Sequence, residues 1–150
     1  MTQDRFDIIV SGAGLAGLAT TAAFGQAGFS VLCVDPAPHV TARDDDGADL
    51  RSTAFLQPAR NFLVALRLWD RLVDHATSLE VMQIIDAGGL LNKPRLSTRF
   101  EAQEISDQPF GWNLPNWLLR RELLAHLQQL STVELRGGIA STALFTRLSE

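Results

Sequence analysis

The chain has 150 residues, 46% hydrophobic and 20% charged, which is the composition of one globular domain with a real core and excludes a disordered or collagen-like chain. A net charge of −4 and an isoelectric point near 5.3 argue against a nucleic-acid-binding module. The one cysteine, Cys33, excludes a disulfide-built scaffold and a CxxC zinc site, and fits a reducing, cytoplasmic setting.

Residues 6–10 are predicted to form a short, fully buried strand. Gly12-Ala13-Gly14-Leu15-Ala16-Gly17 reads as a glycine-rich turn, residues 15–27 as a small-residue helix closed by Gly28, and residues 29–34 as a second buried strand. Together they make a βαβ unit. The stretch from Ile8 to Val34 carries no charge and is long enough to cross a bilayer, but five glycines break it into these elements. With Asp4, Arg5 and Asp7 before it, it also lacks a signal-peptide pattern, so it reads as buried core.

Residues 36–51 are polar and irregular. Asp44, Asp45 and Asp46 have no partner histidine there and read as a solvated loop, so no metal site is expected. Phe55, Leu56, Phe62, Leu63, Leu66 and Trp69 recur at helical spacing and predict an amphipathic helix over 53–68, followed by a short helix over 69–75. Residues 79–86 and 95–105, either side of Gly88-Gly89, predict two antiparallel strands of a different sheet. Pro109, Gly111 and Pro115 mark a loop. A second strong helix is predicted over 117–130, with Leu118, Leu119, Leu123, Leu124 and Leu127 on one side, and two last strands over 133–136 and 143–148.

The glycine turn carries the chemistry. In a GxGxxG between strand and helix, Gly12 permits the tight turn, Gly14 lets backbone approach a pyrophosphate, and Gly17 lets helix pack closely on strand. Free N–H groups and the helix dipole then hold the phosphates. Asp35 ends the second strand, 23 positions after Gly12, where a carboxylate can accept hydrogen bonds from ribose hydroxyls. The alternative is a local cap for the turn at Pro36. Cys33 reads as a small buried hydrophobe, and His39, His75 and His126 show no ligand spacing. Trp112 and Trp117, beside prolines, suit packing more than a substrate wall.

The turn does not separate FAD from NAD. However, residues 6–35, Asp49-Leu50-Arg51-Ser52-Thr53-Ala54-Phe55, Leu68-Trp69-Asp70 and Asn116-Trp117-Leu118-Leu119-Arg120-Arg121-Glu122-Leu123 resemble, in order, the ubiquinone-biosynthesis hydroxylases. These are para-hydroxybenzoate-hydroxylase-like, FAD-dependent aromatic monooxygenases. The resemblance implies an α/β fold, with a Rossmann-like FAD-binding domain of parallel sheet carrying inserted strands of a substrate-domain sheet. It implies FAD contacts from Gly12, Ala13, Gly14, Leu15, Ala16 and Gly17 at the pyrophosphate and from Asp35 at the ribose, where most relatives carry glutamate. Arg51 would lie near flavin and pyrophosphate, a role suited to the guanidinium fork, and Arg120 and Asn116 would complete the set.

Two further FAD motifs of the family are missing. Asp46-Gly47 lies too early for the Asp-Gly motif, and no Gly-Asp pair occurs. The expectation is therefore the N-terminal part of a longer enzyme, with the family's C-terminal half absent. Residues 1–78 would hold the FAD-binding βαβ unit and following helices, 79–108 the start of the substrate sheet, and 109–150 the return to the FAD domain. The resemblance implies an enzyme using NAD(P)H and O2 to hydroxylate a small aromatic substrate, a prenylated phenol or quinol. No catalytic residue is named, because the cofactor carries the chemistry. No nucleic acid is expected as partner; peripheral association with the inner membrane or a ubiquinone-synthesis complex is. Another FAD-dependent oxidoreductase (an oxidase or reductase) and a non-catalytic nucleotide-binding fragment remain open.

Overall fold

The computed structural model describes residues 5–87 and 94–142. The Gly88-Gly89 turn and the strand expected over 143–148 lie outside them. The fold is mixed α/β and divides into two compact units, Met1–Arg51 with Pro115–Glu150, and Ser52–Leu114.

In the first unit, β1 (Ile8–Ser11), β2 (Val31–Asp35) and β8 (Val133–Gly137) form a parallel sheet with β2 in the centre. Register runs Ile8↔Val31 to Ser11↔Val34 on one side and Val31↔Val133 to Asp35↔Gly137 on the other. Parallel neighbours need a crossover, and α1 (Leu15–Gln26) supplies the one between β1 and β2. It buries Leu18, Thr21, Ala22 and Gly25, and packs against α4 (Asn116–Leu127), whose buried face holds Leu118, Leu119, Leu123, Leu124 and Leu127 as the spacing predicts. Gly25 also lets α1 lie close to β8. A Cβ on Gly25 would collide with the Val133 side chain. Cys33 is buried in β2, where desolvation raises its thiol pKa, consistent with its apolar role. His126 is buried too, but its ring is satisfied by Gln26 at 3.0 Å.

The second unit departs from the sequence reading in two places. The helix expected over 53–68 is a strand, β3 (Ser52–Leu56), followed by a shorter helix, α2 (Gln57–Ala65). Pro58 decides this. Inside a helix begun at residue 53 it would lack a hydrogen bond and clash with the carbonyl one turn back, whereas in the first turn of α2 it is tolerated. The helix stops early because Arg67 takes a left-handed φ of 56°, with the Leu68 amide bonded back to the Leu63 carbonyl. The expected loop at Pro109, Gly111 and Pro115 is likewise a strand, β7 (Gly111–Pro115), the middle member of a sheet ordered β3, β7, β4 (Thr77–Leu79). Gly111 permits it, since a Cβ there would strike the Phe55 carbonyl.

The short helix expected over 69–75 is α3 (Trp69–Leu72) with a 3₁₀ turn at Val73–His75. The expected strand 79–86 divides at Glu80 between β4 and β5 (Val81–Asp86). β5 pairs antiparallel with β6 (Leu96–Glu101), with Met82 opposite Phe100. The compact unit Ser52–Leu114 holds β3, α2 and α3 together with these strands. Trp112 meets Trp69 edge to face at 5.3 Å, with the Arg60 guanidinium over both rings, so it serves packing. Among the described residues no helix is long and apolar enough to cross a membrane, and no three potential metal ligands cluster.

Candidate nucleotide-binding site

The residues of interest all lie in the first unit. β1 runs straight into the glycine turn, whose first amide, that of Gly12, donates to the Val34 carbonyl at 2.7 Å and carries the ladder one step further. The chain then reverses with Gly12 at φ 108°, a conformation side-chain-bearing residues rarely adopt. Gly14 caps α1 in extended conformation, with no side chain to satisfy the amides of the first turn. The other two glycines differ in a telling way. A Cβ on Gly17 would overlap the Gly12 carbonyl oxygen, so Gly17 is required by the protein itself. A Cβ on Gly14 would meet nothing within 4 Å, so only something outside the fold would exclude a side chain there. Gly14 and Ala16 are exposed, and Leu15 is partly so.

Ala13 is fully buried, and its amide donates to Asp35 Oδ2 at 2.6 Å. That N–H is therefore engaged by the protein, and Ala13 acts by joining the turn to β2. Asp35 Oδ1 accepts from the Ala37 amide at 2.8 Å, which is the local cap considered from the sequence. Both features coexist, because each carboxylate oxygen has a second lone pair for a ribose hydroxyl. The amides of Ala13 and Ala37 hold the carboxyl below its ordinary pKa, helped by nearby Arg120 and His39, so it is anionic at neutral pH. The Arg120 Nε is buried and has no hydrogen-bond partner among the described residues. A buried cationic donor left open near the Asp35 carboxylate calls for an explanation.

Arg51 and Asn116 form a second group, and α4 connects it to the first. The guanidinium grips Asp49 in a fork, with Nε to Oδ1 and Nη2 to Oδ2 both at 2.8 Å, while the Asn116 amide donates to Asp49 Oδ2 at 2.9 Å. Arg51 and Asn116 together depress the Asp49 pKa strongly. The start of α4 is tied to the same segment, Asn116 N–H to the Arg51 carbonyl and Trp117 N–H to that of Asp49. Asn116 is buried and holds Asp49, a contact that sequence reading missed because nothing in the sequence joined the two residues. Arg51 differs: its side chain is 83% exposed, and the fork on Asp49 leaves three of its five N–H donors free for an incoming anion. Asn116 and Arg120 stand four residues apart, hence on one face of α4. Arg121, by contrast, pairs with Glu122 and covers the Trp117 ring.

No family model matches the sequence, and no curated protein matches it. Solved structures do. P. aeruginosa PqsL is similar with a TM-score of 0.69 at 20% identity, over 90% of this chain and 34% of that one. The flavin-dependent monooxygenase PieE, solved with FAD and substrate, gives 0.66 at 23% identity over 92% and 24%. The Diels-Alderase PyrE3 of pyrroindomycin biosynthesis gives 0.66 at 16% identity over 93% and 27%. The chain thus spans between a quarter and a third of the length of these structures. At such identity the likeness establishes the fold, which this chain shares with flavin-dependent monooxygenases.

Proposed function

We propose that this chain is the Rossmann-like FAD-binding portion of a flavin-dependent aromatic hydroxylase. The observation that carries the reading is the open, exposed Gly14 turn with the Asp35 carboxylate hydrogen-bonded to it and the unpartnered Arg120 Nε near that carboxylate. The first-turn amides of α1 and the helix dipole would hold the pyrophosphate, Asp35 the ribose, and Arg120 and Arg51 would neutralise the phosphates. When bound, FAD supplies the redox chemistry of oxygen insertion, with NAD(P)H as reductant. The protein's part is to fix the dinucleotide and keep Asp35 ionised. The finer assignment to a prenylated phenol or quinol of ubiquinone synthesis, with peripheral membrane or complex association, rests on the resemblance of residues 49–55, 68–70 and 116–123.

The test is a spectrum and an assay of the complete protein. A flavin absorbance released on denaturation, and NAD(P)H and O2 consumption stimulated by a prenylated phenol, are the expected results. Absence of flavin binding under reconstitution would remove the reading. The PyrE3 likeness favours keeping one rival open, a flavoprotein of this fold whose reaction is not hydroxylation. Flavin bound without phenol-stimulated NAD(P)H oxidation would point there.

A further inference from the structure

His39 has no place in the site as described so far, yet it is placed oddly for a packing residue. It lies on the loop that leaves β2. A side chain at Gly137, the β8 residue paired with Asp35, would meet its Cδ2 and Nε2 at 3.4 Å. The loop is fixed there by Gly138 N–H to the Ala37 carbonyl at 3.3 Å and Ile139 N–H to the Asp35 carbonyl at 2.9 Å. Both ring nitrogens are shielded from solvent, and neither has a hydrogen-bond partner among the described residues. An imidazole always carries at least one N–H, and in its neutral form one acceptor besides. Burying both without partners is costly, and such groups in native folds call for an explanation.

We propose that His39 hydrogen-bonds the adenosine end of the dinucleotide, beside Asp35. This rests on the FAD reading above. The position argues for adenosine: the ring stands at the carboxyl ends of two adjacent parallel strands, where ligands of open α/β sheets bind, next to the carboxylate assigned to the ribose. The chemistry agrees. A donor paired with an acceptor suits an adenine edge or a ribose hydroxyl, which carry both, better than a phosphate, which only accepts. The ring also lies near Asp35.

Calorimetric titration of the complete apoprotein with FAD and with ADP tests this. His39→Ala and His39→Leu should weaken both ligands by one common factor, roughly fivefold to twentyfold, the effect of one hydrogen bond. His39→Asn, which keeps a donor and an acceptor, should recover part of the loss. The apoprotein melting temperature of His39→Leu should not fall, because two unpaired buried nitrogens are removed. Wild-type affinity in all three variants, or weakening of FAD without ADP, would overturn the inference while leaving the flavin reading intact. If the unaltered protein bound neither ligand, the flavin reading itself would fail and take this inference with it.

Discussion

Replacing Gly14 by valine separates the needs of the fold from the needs of a ligand. Gly14 sits at φ −68° and ψ 176°, open to any L-residue, and an added Cβ meets nothing within 4 Å. The apoprotein should therefore keep its stability to within about 1 kcal/mol, since lost unfolded-state entropy offsets a slightly poorer cap. Gly17→Ala is the contrast. Its Cβ falls on the backbone carbonyl of Gly12, which cannot rotate aside, so the turn must shift at a cost of about 1–3 kcal/mol or more. Binding should rank differently. At Gly14 the valine side chain occupies the approach to the first-turn amides, and a hundredfold weakening, about 2.7 kcal/mol, is the expected minimum. Urea melts of the apoproteins and calorimetric titration with FAD read the two effects separately. Gly14→Val binding FAD like the wild type would refute the phosphate-turn assignment, as would a loss of stability equal to that of Gly17→Ala.

Asp35→Ala removes acceptors for both Ala13 and Ala37, so it should cost about 1–3 kcal/mol of apoprotein stability as well as weakening FAD, measured by melting and titration in parallel. Arg120→Met should leave the apoprotein as stable or slightly more so, by deleting a buried unpaired donor, while FAD affinity falls at least tenfold in the same titration. Asp35 and Asp49 are held below their unfolded value of 3.8, the first by the Ala13 amide and the second by Arg51. Their contribution to stability should thus be complete above about pH 5 and lost as pH falls through the lower folded values. Urea midpoints from pH 7 to 3 should show that decline, and Asp35→Asn should make it shallower.

Much of the first unit was legible in the sequence. Apolar runs without charge mark β1 and β2, although β1 alternates half-buried and exposed residues where full burial was expected, and the leucine spacing of α4 names its buried face. The second unit was harder for identifiable reasons. Phe55 and Leu56 fall on the helical period of Phe62, Leu63 and Leu66, and that coincidence hid a strand which Pro58 could have revealed. In β7, proline and glycine imitate a loop, and only the neighbouring Phe55 backbone shows why glycine is wanted at 111. Of the site, the glycines and Asp35 could be read from spacing. The fork of Arg51 on Asp49 and the open nitrogens of Arg120 and His39 could not, because they depend on what lies nearby in space.

The short bond from Ala13 to Asp35 makes the two halves of the candidate site mechanically one. A change at the carboxylate is felt at the turn, and a change at the turn moves the carboxylate. Substitutions at positions 14 and 35 should accordingly combine non-additively, even though they address different parts of a ligand. The same tie constrains how such a site can drift over evolutionary time. Lengthening Asp35 to glutamate adds a methylene between β2 and the Ala13 amide, so the carboxylate must either fold back to keep that bond or surrender it. The length of this one side chain thus bears directly on how tightly β2 is joined to the glycine turn.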